Sequence, residues 1–94
     1  MKRIKDTPED YRLRILAEEC AELSQASLKL IRAKDNDTPI SIPNARMHLI
    51  EECADVIVGI RSVLSDVQLD GMKAIATQKE ARWEQRLNAN AEVL

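Results

Sequence analysis

The sequence predicts an all-α protein, an antiparallel bundle of three main helices that is completed by homo-oligomerisation. Helix breakers are scarce, since 94 residues include only two glycines and three prolines. Apolar residues recur at steps of three and four, which is the spacing of one helix face. The core has to be aliphatic because the chain has no Phe, one Trp and one Tyr. A chain of this length fits one domain, 1–94.

The first helix is expected from about residue 8 to about residue 33. Thr7 is the predicted cap, Pro8 suits the first helical position, and Glu9 and Asp10 favour the positive end of the helix dipole. The predicted apolar face consists of Leu13, Leu16, Cys20, Leu23, Ser27 and Leu30.

The segment KDNDTPISIPN at 34–44 has two prolines and several turn formers, and it is predicted to be the loop. A second helix follows from Pro43 or Asn44 to about Ser65, with Asn44 as its simplest cap. Its apolar residues occupy two faces. The first comprises Leu49, Cys53, Val56, Ile60 and Val63, and the second Ile50, Ala54, Ile57 and Leu64. A helix that is apolar over most of its circumference is buried on several sides.

The segment SDVQLDG at 65–71 is predicted to be a short turn or kink before the third helix. The apolar face of the third helix consists of Met72, Ala76, Trp83 and Leu87. Three helices cannot enclose the second one from all sides, so we predict self-association into a bundle. A monomeric three-helix hairpin is the alternative.

Charge and hydropathy exclude several kinds of partner. A formal net charge of −2 argues against binding to a nucleic acid polymer, which needs a basic stripe. No apolar run approaches membrane-spanning length and the N-terminus lacks the apolar core of a signal peptide. Two cysteines without CxxC spacing favour free thiols. We therefore expect a cytoplasmic protein without a membrane partner.

Two acidic motifs resemble each other, AEECAEL at 17–23 and IEECADV at 50–56. Helix positions three apart project from the same side. The acids paired in this way are Glu19 with Glu22 and Glu52 with Asp55. If the two helices pack antiparallel, these four carboxylates converge beside an apolar seam, where their charge is costly unless a cation neutralises it. All-oxygen ligands favour Mg²⁺ or Mn²⁺. The alternative is a solvated face, which a single ExxE motif usually is.

Two other metal chemistries fit less well. A carboxylate di-iron bundle uses Glu-x-x-His on two helices, and the one histidine is His48, four residues before Glu52. A thiolate zinc site needs more soft ligands than Cys20 and Cys53. His48 is expected to be exposed or a cap, with a contact to the acidic site as the alternative.

At these residues the chain resembles the all-α nucleoside triphosphate pyrophosphohydrolases of the MazG-like kind, whose motif is EExxE followed, after a gap, by ExxD. EECAE at 18–22 matches the first block and ECAD at 52–55 the second, and the resemblance covers roughly residues 10–87. It implies Mg²⁺-dependent hydrolysis of a nucleoside triphosphate between the α and β phosphates, which yields the monophosphate and pyrophosphate. The family's metal ligands carry over to Glu19, Glu22, Glu52 and Asp55.

The resemblance also implies assembly as a homodimer or a dimer-of-dimers tetramer, and it implies further roles for single residues. Glu18 is the candidate catalytic residue, which either orients the attacking water or holds a residue near the metal, and Glu51 has the same options or is a plain helix acid. Lys79 and Arg82 match the family's basic stretch and are candidate phosphate contacts. Lys79 also lies on the predicted apolar face, so a snorkelling lysine is its alternative.

Base recognition is not specified by these motifs. Only Tyr11 and Trp83 could stack on a base. Trp83 is expected to pack in the core, and Tyr11, two turns before Glu19, to border a pocket. A non-catalytic helical oligomerisation or regulatory module that retains the fold is the alternative function.

Overall fold

The computed structural model describes residues 1–93, and the side chains of residues 1–90. A 3-10 helix at Ile4–Asp6 precedes three α-helices, α1 (Glu9–Lys34), α2 (Ile42–Val63) and α3 (Asp66–Val93). No strand occurs in this described part of the chain. The all-α fold class with three main helices is therefore confirmed.

The chain divides into two compact units, Met1–Val63 and Leu64–Leu94. The first holds α1 and α2, and the second holds α3. The expectation of a single domain stays a prediction. Among the described residues, no helix is both long and apolar enough to cross a membrane.

The start of α1 differs from the prediction. The N-cap is Pro8, without a side-chain hydrogen bond. Thr7 instead donates its hydroxyl to the Ile4 carbonyl at 2.6 Å, at the end of the 3-10 helix. Arg12 holds this region, because its Nε donates to the Thr7 carbonyl at 3.2 Å and its Nη1 donates to the Ser62 carbonyl near the end of α2. Arg12 thus satisfies a carbonyl that a helix end leaves without an intrahelical partner.

Local hydrogen bonds end α1 where the loop to α2 begins. Asn36 adopts a positive φ of 59°, its N–H donates to Ala33 at 3.2 Å, and the Asp37 N–H donates to Arg32 at 2.8 Å. This is a Schellman motif with Asn36 in the left-handed position.

Ser41 directly precedes α2, and its Oγ accepts a hydrogen bond from the Asn44 N–H at 3.2 Å. The expectation that Asn44 caps α2 is therefore wrong. Asn44 lies within the first turn, because the serine hydroxyl three residues earlier takes the capping position.

The break before α3 is much shorter than the predicted turn at 65–71. Only Leu64 and Ser65 lie between α2 and α3. Ser65 Oγ accepts from the Gln68 N–H at 3.2 Å, and the Ser65 N–H donates to Gln68 Oε1 at 2.9 Å. This reciprocal pair is a capping box, which starts a helix at Asp66 where the sequence analysis had predicted a turn.

α1 and α2 pack antiparallel. Arg12 near the start of α1 contacts Ser62 near the end of α2, and Ala33 near the end of α1 clusters with Ala45 near the start of α2. The buried apolar residues in the described chain are Ala26, Leu30, Ala33 and Ala45. They are small or aliphatic, as predicted from the composition.

Gly59 lets the two helices approach closely. A Cβ at this buried position would lie 3.1 Å from Leu16 Cδ1 and 3.4 Å from Leu16 Cα. Such distances are tighter than ordinary carbon contacts. The absence of a side chain at Gly59 therefore determines how near the middle of α2 comes to α1.

The inward face of α1 agrees with the predicted face at Leu16, Leu23 and Leu30 and departs from it at the other three predicted positions. Leu13, Cys20 and Ser27 are exposed. The other inward positions are held by Arg12, Glu19, Ala26 and Ala33. The small residues of both helices face each other, and consequently a glutamate occupies the interface where the sequence analysis had predicted a cysteine.

The side chains of α3 that the structure describes are exposed, except for half-buried Leu69. Trp83 is 65% exposed. The expectation that Trp83 packs in the core is therefore wrong for the chain as described. An aromatic ring on the apolar face of a helix is buried only where a neighbouring element covers it.

Candidate metal centre

Four carboxylates converge where the middle of α1 meets the middle of α2. Glu19 and Glu22 come from α1, and Glu52 and Asp55 come from α2. Each offers one oxygen atom, and the four atoms lie within 4.8 Å of one another. The antiparallel packing brings the two ExxE-type spacings to the same level, because residues three apart share a helix side. The predicted convergence of the four carboxylates is therefore confirmed.

The four acids are not equally buried. Glu22 and Asp55 are exposed, whereas Glu19 is half-buried and the Glu52 side chain is 12% exposed. Within the part of the chain that the structure describes, Glu19 Oε2 and Glu52 Oε2 are buried without a hydrogen-bond partner. Leaving a buried carboxylate oxygen unpaired is costly. A divalent cation would satisfy both atoms, so the residues present fit a hard metal ion.

The same surroundings shift the protonation of the two inner acids. Burial raises the pKa of the Glu19 carboxyl, and the negative charges of Glu22 and Asp55 raise it further. Burial likewise raises the pKa of Glu52, as do Glu22 and Asp55, while His48 acts in the opposite direction. Without a cation, ionisation of Glu19 and Glu52 is therefore less favourable than ionisation of a solvated glutamate.

His48 touches this cluster from one side. Its Nε2 lies 3.3 Å from Glu52 Oε1, one helical turn along α2. A contact of His48 with the acidic site was the alternative named from the sequence, and it is confirmed. Glu18 and Glu51, by contrast, are exposed and do not belong to the converging group of four.

A cleft of about 480 Å³ opens beside Glu22 and Glu52. Its wall also carries Lys29, Arg32 and His48. We call this space, with these five residues, the basic cleft. Lys29 and Arg32 are not among the site residues predicted from the sequence. Their spacing could have indicated that they lie near Glu22, because positions 22, 29 and 32 of a helix lie on one side of it.

A second cleft of about 270 Å³ opens beside Glu19 and Asp55. Its wall carries Tyr11, Ile15 and Val58. We call this space, with these five residues, the apolar cleft. The prediction that Tyr11 borders a pocket is confirmed. The four acids thus lie between the basic cleft and the apolar cleft. The residues that line the two clefts all belong to the Met1–Val63 unit.

The two basic residues predicted to contact phosphate lie on α3. Lys79 and Arg82 are both exposed, in the second compact unit. Their contact with a phosphate stays a prediction.

No model of a protein family, no curated protein and no solved structure gives a match to this chain. The function is therefore argued from the chemistry of the site.

Proposed function

We propose that the protein is a Mg²⁺-dependent nucleotide pyrophosphohydrolase of the MazG-like kind, which hydrolyses a nucleoside triphosphate to the monophosphate and pyrophosphate. The observation that carries this proposal is the group of four converging carboxylates with two buried, unpartnered oxygens. Mn²⁺ satisfies the same ligand preferences and is the second metal to test.

The metal would be held by Glu19, Glu22, Glu52 and Asp55. When bound, Mg²⁺ would screen the triphosphate from the carboxylates, lower the pKa of the attacking water and stabilise the charge on the leaving pyrophosphate. The exposed members Glu22 and Asp55 face the clefts through which a nucleotide would enter. Glu19 and Glu52 would anchor the ion from the helix interface.

The reaction is a hydrolysis and needs no other reactant. A water oxygen forms a bond to the α-phosphorus, and the bond between that phosphorus and the oxygen bridging to the β-phosphate breaks. Pyrophosphate leaves with the electron pair of the broken bond, and the proton of the water passes to a base. Glu18 is the proposed orienting residue and base, acting on the water directly or through a neighbour of the metal.

The proposed location is the cytoplasm and the proposed partners are the nucleotide and a second copy of the chain. Cys20 and Cys53 are free and exposed thiols, which a reducing compartment preserves. The net charge of −2 favours a metal-bound nucleotide over a nucleic acid polymer.

The test is pyrophosphate release by the purified chain from the common ribo- and deoxyribonucleoside triphosphates, with Mg²⁺ and with EDTA. Turnover is expected only with the metal. Glu52→Gln should abolish turnover and lower Mg²⁺ affinity in calorimetry by tenfold or more, about 1.4 kcal/mol, while circular dichroism keeps its helical signal.

Glu9→Gln is the matched control, because Glu9 is an exposed acid in the first turn of α1. It should leave turnover and metal affinity unchanged. Glu18→Gln should lower turnover without changing Mg²⁺ affinity. If the wild-type chain turned over no triphosphate with either metal, the non-catalytic module would be favoured. Turnover that survived Glu52→Gln would contradict the ligand assignment.

A further inference from the structure

The basic cleft contains two cations that no other part of the described structure neutralises. Lys29 is half-buried and Arg32 is exposed. Neither makes an ion pair or a side-chain hydrogen bond with any residue that the structure describes. A cation that has no anionic partner in the protein is available to bind an anion.

The two cations continue the line of the acidic cluster along α1. With a rise of 1.5 Å per residue, Lys29 lies about 10 Å and Arg32 about 15 Å beyond Glu22 along the helix axis. An extended anion with one end at the four carboxylates would therefore meet first Lys29 and then Arg32. A chain of phosphates is such an anion.

The apolar cleft offers the opposite chemistry. Tyr11, Ile15 and Val58 supply apolar surface to its wall. Arg12 also borders it, but this guanidinium already donates to two backbone carbonyls. Phosphate groups would lose hydration there and would meet one cation, Arg12, whose Nε and Nη1 already donate to the protein. A nucleobase, by contrast, has a face that can lie against a tyrosine ring.

We propose that Lys29 and Arg32 bind the β- and γ-phosphates of the triphosphate, so that the leaving pyrophosphate lies in the basic cleft. The nucleoside then extends towards Tyr11 in the apolar cleft. This inference rests on the proposed function, and it assigns a direction to the substrate along α1. Lys29 supplies a flexible point charge, and Arg32 supplies a planar fork that can bind two phosphate oxygens.

The experiment measures binding of inorganic tripolyphosphate to the full chain by calorimetry at constant Mg²⁺, with binding of Mg²⁺ alone as a second readout. The variant Lys29→Ala/Arg32→Ala should weaken tripolyphosphate binding about tenfold or more, since it removes two charge-assisted contacts. Its affinity for Mg²⁺ alone should not fall. The charge-preserving variant Lys29→Arg/Arg32→Lys should recover most of the lost affinity.

The matched control is Arg14→Ala/Lys34→Ala, which removes the same charge from exposed positions of the same helix that do not line the basic cleft. It should bind tripolyphosphate like the wild type. Equal weakening in the control and the cleft variant would overturn the proposal, because it would reduce the effect to net charge.

Two negative results separate this inference from the proposed function. If the wild type turned over triphosphates but the cleft variant bound tripolyphosphate unchanged, the phosphates would lie elsewhere and the pyrophosphohydrolase would stand. If the wild type neither bound tripolyphosphate with Mg²⁺ nor released pyrophosphate, both proposals would be overturned.

Discussion

Glu19 and Glu52 occupy inward positions of the helix pair that an apolar side chain would fill in an ordinary hairpin. Each has an outward partner three residues along its helix, Glu22 or Asp55, at the edge of the interface. The inner acids lose hydration, while the outer acids add negative charge nearby. This combination destabilises the metal-free fold, and it would stabilise a cation bound by the proposed ligands.

The raised pKa values of Glu19 and Glu52 predict how stability depends on pH. Between the ordinary value of 4.5 and the raised values, the folded state binds more protons than the unfolded state. Their contribution to the free energy of unfolding is therefore present below pH 4.5 and is lost as pH rises through the raised pKa values. The measurement is the melting temperature against pH in EDTA.

The variant Glu19→Gln/Glu52→Gln removes both titrations, so its melting temperature should fall less than that of the wild type as pH rises above 4.5. Mg²⁺ at neutral pH should raise the melting temperature of the wild type and leave the variant unchanged. Parallel pH profiles for the two proteins in EDTA would show that these acids do not titrate differently in the folded state.

At the scale of the elements, the pairing of α1 with α2 creates the acidic site. The close approach of α1 and α2 depends on a small residue, because Gly59 lies against Leu16 one turn from Asp55. The helix ends are determined by local chemistry, namely the Schellman motif at Asn36 and the capping box formed by Ser65 and Gln68. Arg12 adds a tie between the start of α1 and the end of α2.

Gly59→Val is predicted to force the helices apart. Its side chain would overpack the contact with Leu16, which should lower the free energy of unfolding by about 1–3 kcal/mol. The carboxylates would separate as well, so Mg²⁺ affinity should fall. Urea denaturation and calorimetry measure the two effects.

Gly71→Ala is the control for this change. Gly71 lies within α3, and a Cβ there would meet no atom within 4 Å. Alanine should therefore stabilise the helix by about 0.5–1 kcal/mol, without changing Mg²⁺ affinity. A Gly59→Val protein with wild-type stability and metal affinity would mean that the close approach at this position is unimportant.

At the scale of the whole molecule, the most informative feature is the amount of apolar surface that remains uncovered in each compact unit. In the first unit the exposed residues include Leu28, Ile31, Met47, Ile50 and Ile57. In the second they include Val67, Ile75, Trp83 and Leu87. When exposed apolar side chains such as these are grouped on a surface, that surface is often one through which proteins associate. These side chains support the prediction of a homodimer or a dimer of dimers.

The oligomer prediction can be tested with the chain's own fluorophore. Trp83 is the one tryptophan and is 65% exposed. On association its emission maximum should move to shorter wavelength as protein concentration rises, and sedimentation should give at least twice the mass of one chain. With Ile57→Asp, the change in emission and the increase in sedimenting mass should both require a higher protein concentration. A chain that sediments as a monomer at every concentration would contradict the prediction.

Much of the fold could be predicted from the sequence because helix periodicity and turn chemistry are local. The ranges of α1 and α2 agree with the expected ones within a few residues. The errors were local too. Thr7 and Asn44 have cap-forming side chains, but Pro8 is the N-cap of α1 and the Ser41 hydroxyl caps α2. The capping box of Ser65 and Gln68 starts α3 where a turn was predicted.

The sequence by itself determined that the chain is helical and that two acid pairs each point from one side of a helix, since a three-residue spacing imposes this on any helix. Only the tertiary structure decided which face of α1 turns inward. Close contact at Gly59 and the alanines rotates α1 so that Glu19 enters the interface. The same packing places Lys29 and Arg32 of α1 in one cleft with His48 of α2. Residues this distant in sequence become neighbours only through the particular way in which the two helices pack.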